Sequence, residues 1–183
     1  MLIETLLISL IVGKIRGGKI KNLINIPIDG WVFIIVGFLI SYLSVFLISR
    51  GNQLLYEGLV YIQSISLILI IIGILYKVVG FDRIVLAFGF LLNTIPIALN
   101  NGKMPVDGNA LIELGLNTQF MLLKDNLIVT HSLIDTSTKM SFLSDVISLL
   151  YIFPKVSSIG DLFISLGIFL IIQKNIKIYQ SLQ

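Results

Sequence analysis

Trp31 to Ser49 reads WVFIIVGFLISYLSVFLIS, an apolar run without a single charge. A helix needs about 20 mostly apolar residues, with a usual range of about 17–25, to cross the hydrocarbon of a bilayer. This run meets that length unaided, so it predicts a membrane span. Gly58 to Tyr76 is a second uncharged run, with the core ILIIIGILY. Ile84 to Leu99 is a third, interrupted by Asn93 and Pro96. Ile159 to Gln173 is a fourth, apolar apart from Asp161 near its start. The composition agrees: 56% of the residues are hydrophobic, 13% are charged, and the mean hydropathy is +1.01. Soluble domains carry about 25% charged residues. The expected fold is an all-α, polytopic transmembrane helix bundle with four clear spans, forming a single integral membrane domain over residues 1–183.

Met1 to Val12 is apolar apart from Glu4, Thr5 and Ser9, and the basic residues Lys14, Arg16, Lys19 and Lys21 follow it. A signal peptide carries its basic residues before the apolar run. The order here is reversed, which predicts a retained short helix, either a tilted span or a half-buried helix packed on the others.

Lys and Arg in short loops mark the cytoplasmic side. The cluster at 14–21, the pair Lys77 and Arg83, and the C-terminal Lys174 and Lys177 all fall on one side if the four runs cross in turn. That arrangement predicts a multi-pass cell-membrane protein with a cytoplasmic C-terminus. It leaves about 100–158 as a long extracytoplasmic segment. Structureless loops of more than about 12–15 residues are uncommon and often functional. The segment contains the apolar runs ALIELGL, FMLL, LIV and VISLLYIF, which suit docking on the outer leaflet.

Several functions are disfavoured by composition. The chain has no cysteine and one histidine, so neither a thiolate nor a multi-histidine metal site is expected. No cofactor is implied. A formal charge of +3 is small and spread out, which gives no support for nucleic acid as a partner. Membrane lipids are the expected surroundings. A transport path needs polar residues through the bundle. The first two runs offer only Ser41, Ser44, Gln63, Ser64 and Ser66.

Polar groups at membrane depth are costly and therefore informative. Pro96 removes a helical donor and predicts a kink, which Asn93 could bridge. Asn100-Asn101-Gly102-Lys103-Met104-Pro105 reads as an exit turn or a polar ledge. His131 lies in Thr-His-Ser-Leu-Ile-Asp, where a relay with Ser132 can be drawn, although no nucleophile turn accompanies it. Asp161 follows Ser157 and Ser158, either of which could cap the last helix. A first-turn acid suits the helix dipole. That does not explain a second acid, Asp145, ahead of another apolar stretch. Two carboxylates brought together at low dielectric share a proton and can divide acid and base work on a water. Asp145 and Asp161 are accordingly the candidate catalytic pair. Asn93, Asn100, Asn101, Lys103 and His131 are the candidate substrate-holding residues.

Ser144-Asp145-Val146-Ile147, then Phe153-Pro154, then Ile159-Gly160-Asp161 opening the final span, resembles the C-terminal third of bacterial lipoprotein signal peptidase. That resemblance implies a catalytic aspartyl dyad at the outer membrane face, at Asp145 and Asp161. It also implies an aspartic-type membrane endopeptidase acting on a lipidated or membrane-bound peptide. The family's Asn-x-x-Asp-Arg motif has no counterpart here, and Ser158 stands where the family carries asparagine. Over nearly its full length the chain also resembles an uncharacterised family of small bacterial multi-span proteins. The likeness rests on Gly17-Gly18, on Asn101 to Val106, on Asp145 to Ile147 and on Ile159 to Asp161. The alternative to an enzyme is a membrane scaffold or a lipid- or peptide-binding partner protein, in which the two acids cap helices or pair with Lys103, Lys139 or Lys155.

Overall fold

The computed structural model describes residues 1–150 and 153–177. Five long helices carry the chain: α1 (Leu2–Ile15), α2 (Trp31–Ser49), α4 (Leu59–Leu75), α5 (Phe81–Leu99) and α8 (Ile159–Lys177). The short α3 (Gln53–Glu57) joins α2 to α4, and its N-cap Asn52 accepts from the Leu55 amide. Between α5 and α8 lie β1 (Met104–Val106), α6 (Gly108–Glu113), α7 (Asn117–Lys124), β2 (His131–Leu133), β3 (Ile147–Leu149) and β4 (Lys155–Ser157).

Three helices, α2, α5 and α8, are long and apolar enough to cross a membrane; α4 is a shorter apolar helix of 17 residues. The exposed side chains of α2 include Trp31, Val32, Ile35, Phe38, Leu39, Leu43, Phe46 and Leu47. Such an apolar exterior is suited to lipid and not to water. The expectation of an all-α chain needs correction. β1 and β2 pair in parallel, and β3 and β4 pair antiparallel. These three-residue strands are too short to show a period-2 pattern in the sequence.

The helices pack as a row in the order α2, α4, α5, α8, α1. Small residues set the close approaches, as they do where lipid supplies no hydrophobic drive between helices. A Cβ on Gly37 of α2 would lie 2.6 Å from the Ser66 carbonyl oxygen of α4. A Cβ on Gly89 of α5 would lie 2.6 Å from the Ile164 amide nitrogen of α8. One on Gly167 would meet the Leu86 backbone at the same distance. Hydrogen bonds join the same neighbours: Ser41 donates to Gln63 Oε1 at 2.9 Å between α2 and α4.

α1 runs parallel to α8, with Glu4 against Lys155 at 3.1 Å near the start of both and Gly13 against Ile176 near their ends. At the end of the bundle near Ile176, Arg16 donates to Gln173 Oε1 at 3.0 Å and Lys174 meets Asp82 at 2.8 Å. Arg83 is buried there and donates to the carbonyls of Ile74 and Pro27. These partners explain why α5 begins at Phe81, before its apolar run: the charges of its first turn are neutralised or hydrogen-bonded within the protein.

The segment after α5 covers the other end of the bundle and has its own small core. Val106, Leu111 and Leu123 are buried there, with Leu116, Phe120, Ile128, Leu133 and Val156 packed around them. The ALIELGL and FMLL runs therefore fold partly against each other, while Ile112, Met121 and Leu122 stay exposed. The VISLLYIF run lies partly outside the described residues, at 151–152.

Replacing Gly89 by alanine should destabilise the protein by about 1–3 kcal/mol through overpacking against α8. Gly58→Ala should be close to neutral, since its Cβ would meet nothing nearer than 3.6 Å. Thermal unfolding of both variants in detergent micelles checks the difference; equal midpoints would remove the glycine contact from the account.

Candidate functional site

The site begins where α5 meets α8. Ser158 precedes α8, and its Oγ accepts from the Asp161 amide at 3.0 Å. The Ser158 amide donates to Asp161 Oδ2 at 3.4 Å. Together they form a reciprocal box that satisfies two amides at the helix start. Asn93 of α5 joins them. Its Nδ2 donates to Asp161 Oδ1 at 2.9 Å, and its Oδ1 accepts from Ser158 Oγ at 2.8 Å. The carboxamide thus spans the two helices and does not bridge the break at Pro96. Gly160 makes this possible: a Cβ there would overlap the Asn93 carboxamide and come within 2.7 Å of the Gly89 carbonyl oxygen.

Asp145 reaches the same place by a different route. Its amide donates to the Pro105 carbonyl at 3.0 Å, and its carbonyl accepts from the Asp107 amide at 2.9 Å. These bonds lay Asp145 beside Val106 of β1 as a parallel bridge. β2 lies along β1 too, with His131 opposite Met104. His131 Nε2 lies 3.9 Å from Asp145 Oδ2, and its Nδ1 lies 2.8 Å from Thr130 Oγ1.

Two spaces that share Asn93, Ile97, His131, Asp145 and Asp161 as wall residues receive these groups. A chamber of about 180 Å³ is lined by Gln63, Asn93, Thr130, His131, Asp145 and Asp161, among others. A larger groove of about 950 Å³ is lined by Asn93, His131, Asp145 and Asp161 at its polar end. Its walls are apolar, from Phe38 of α2, Ile70 and Ile74 of α4, Phe90 of α5 and Ile164 of α8. Leu2 to Glu4 of α1 also line it, so the groove extends across the row of helices. Concave, mainly apolar spaces with a few convergent polar groups are the usual form of a ligand site.

Burial and the neighbouring Asp161 charge push the Asp145 carboxyl up to about 7. Burial lowers His131 below the usual histidine value, a shift partly offset by the attraction of Asp161. Lys155 is lowered by burial, again against the attraction of Asp161, and is paired with Glu4.

Asn100, Asn101 and Lys103 line a separate, more polar space of about 610 Å³ with Tyr56, Ser132, Asp135 and Lys139. The expectation that they hold a substrate for the two aspartates therefore meets a different geometry. Asn100 instead ties the exit turn to Lys139, donating to its carbonyl at 2.9 Å and accepting from its amide at 2.9 Å. Ser132 faces that same space, and Asp135 is bonded to Ser137 and Thr138, so the drawn relay through Ser132 and Asp135 does not form. Gln63 and Thr130 are further wall residues of the chamber, neither of them among the site residues expected from the sequence. A glutamine inside an otherwise uncharged apolar run was the available signal for the first. Among the described residues no cluster of side chains is suited to hold a metal ion.

The model of a family described as Family of unknown function (DUF5317) matches residues 25–173, and the chain belongs to this family. Neither the curated proteins nor the solved structures contain a match. The matched region takes in α2 through nearly all of α8 and leaves out α1.

The raised Asp145 value has a consequence for stability. The neutral carboxyl suits the fold, and the ionised one is penalised. Its contribution is complete below the unfolded value near 3.8 and is lost as the pH rises through about 7. Asp145→Asn should therefore flatten this loss, raising the thermal midpoint above that of the native protein at about pH 8 and matching it near pH 4. Parallel midpoint curves for the two proteins would contradict the assignment.

Proposed function

We propose that this member of DUF5317 is a membrane-embedded aspartyl hydrolase acting on a lipidated or membrane-bound peptide. The observation that carries the reading is the convergence of Asp145 and Asp161 on one chamber that shares its polar wall with an apolar groove. The acids come from different elements, and a purely local capping role for each would not require them to share a wall.

Their environments differ in the way that divided acid and base roles require. Asp145, raised to about 7 by burial and by Asp161, keeps its proton through much of the neutral range and can deliver it to a substrate carbonyl oxygen. Asp161 accepts hydrogen bonds on both carboxylate oxygens, from Asn93 and from the Ser158 amide. Fixed in this way, it can take a proton from a water as that water attacks the carbonyl carbon. The resulting tetrahedral adduct collapses when the amine leaves with the proton held by Asp161. Asp145 then recovers a proton from the collapsing adduct. The resemblance to lipoprotein signal peptidase in the residues around Asp145 and Asp161 supports the same assignment.

In this reading α2, α4, α5 and α8 all cross the membrane. The 17 residues of α4 stand at the lower limit for a span. The basic cluster at 14–21, with Lys77, Arg83, Lys174 and Lys177, faces the cytoplasm by the positive-inside tendency. The aspartates then lie at the extracytoplasmic face, and the groove runs from them into the hydrocarbon.

A second reading is favoured by one observation. Asn93, Ser158 and Asp161 tie α5 to α8, so Asp161 has a structural use in a binding partner or scaffold without chemistry. Proteoliposomes carrying the protein and lipidated peptides separate the two. The hydrolase reading expects cleavage that falls about 10²–10⁴-fold in Asp145→Asn and in Asp161→Asn. Cleavage retained in Asp161→Asn, or absent from the native protein while the peptide still raises its thermal midpoint, would favour the scaffold.

A further inference from the structure

We infer that His131 is a positioning residue for the proton of Asp145, exchanging that proton with the carboxyl across the edge of the chamber. The inference rests on the hydrolase reading for its purpose but not for its test.

The geometry follows from β1. His131 stands opposite Met104 on one flank of the strand, and Asp145 stands opposite Val106 on the other. Residues two apart on a strand point to the same face, and parallel neighbours in register share that face. The backbone alone therefore sends the two side chains to one side of this small sheet, toward the chamber. β1 is itself pinned: Gly102, at φ +80°, lies so close to α4 that a Cβ would come within 2.6 Å of the Val60 amide nitrogen. Both side chains line the chamber and the groove.

At 3.9 Å, Nε2 and Oδ2 are one small adjustment, or one bridging water, from a hydrogen bond. Such contacts are often long in the unliganded state. The Thr130 hydroxyl can either donate to Nδ1 or accept from it, so the ring can present Nε2 as donor or as acceptor. When Asp145 carries the proton, Nε2 is the acceptor. When His131 carries it, the imidazolium faces a carboxylate. One proton moves between them and no other bond changes. The proton that Asp145 gives to a substrate is then replaceable without leaving the site.

The charged groups facing this pair are few. Asp161 of α8 acts on both. Lys155, beside β3, and Glu4 of α1 line the groove, and their pairing at 3.1 Å offsets their charges. The neighbouring walls contributed by α4 and α5 are Gln63, Asn93 and Ile97, which do not titrate. Burial moves Asp145 up and His131 down, which narrows the difference between them and favours exchange.

The chain has a single histidine, so its imidazole needs no assignment. Uniformly ¹⁵N-labelled full-length protein in nanodiscs, titrated from about pH 4 to about pH 9, should show a two-step imidazole curve, the signature of coupled groups. In Asp145→Asn the curve should become a single step with its midpoint lower by roughly one unit, because the opposing charge is gone. The reciprocal variant, His131→Gln, should raise the midpoint of the Asp145 carboxyl, read at its side-chain ¹³C, and guards against a folding failure in the first. An imidazole curve identical in native and Asp145→Asn protein, or an unmoved Asp145 midpoint in His131→Gln, would overturn the inference. Uncoupled titration alongside intact peptide cleavage would remove this inference and leave the hydrolase reading. Coupled titration without cleavage would do the reverse.

Discussion

The close approach of α5 to α8 is the constraint on which the site depends. Gly89, Gly160 and Gly167 leave no space for side chains between the two helices. Only at that separation can Asn93 reach across to Asp161 and Ser158 at once. Lipid offers no hydrophobic drive to bring helices together, so shape and polar bonds must do it. The glycines supply the shape, and the carboxamide supplies the bonds. The polar group that apolar surroundings make costly is the same group that fixes an acid at the mouth of the groove.

The second acid is held by a different principle. Asp145 belongs to no helix; it is laid beside β1 by two backbone hydrogen bonds. β1 in turn follows directly from the left-handed turn at Asn101 and Gly102 at the end of α5. Thus α5 positions both acids, one through Asn93 on its side and the other through the strand it leads into. A single helix serving both explains how residues distant in sequence come to share a chamber. The same acids stand at the polar end of an apolar groove, because the helices flanking α5 line it with Leu67, Ile70 and Ile74 of α4 and Ile164 and Ile168 of α8.

Much of the fold was legible in the sequence because lipid imposes a simple rule. Uninterrupted apolar runs gave α2 at the residues expected and α4 within one residue at each end. α5 and α8 run longer than their apolar cores, because Asp82, Arg83 and Lys174 find partners inside the protein. The candidate acids stood out for the same reason: a charge next to an apolar run needs a cause. The strands were not legible, since three residues cannot display a period, and parallel pairing of β1 with β2 joins segments far apart in the chain. Nor could the sequence separate Asn93 from Asn100. Both flank Pro96, but one turns toward α8 and the other toward Lys139, a difference set by helix packing and not by local pattern.

The central claim is that Asp145 and Asp161 form one site. A crystal structure grown from a lipid mesophase near neutral pH tests it most directly, through the separation of the two carboxylates. The account predicts that they face each other across the chamber, close enough to be joined by a single water, with Asn93 still bonded to Asp161. Carboxylates turned toward different surfaces, with side chains packed between them, would contradict it.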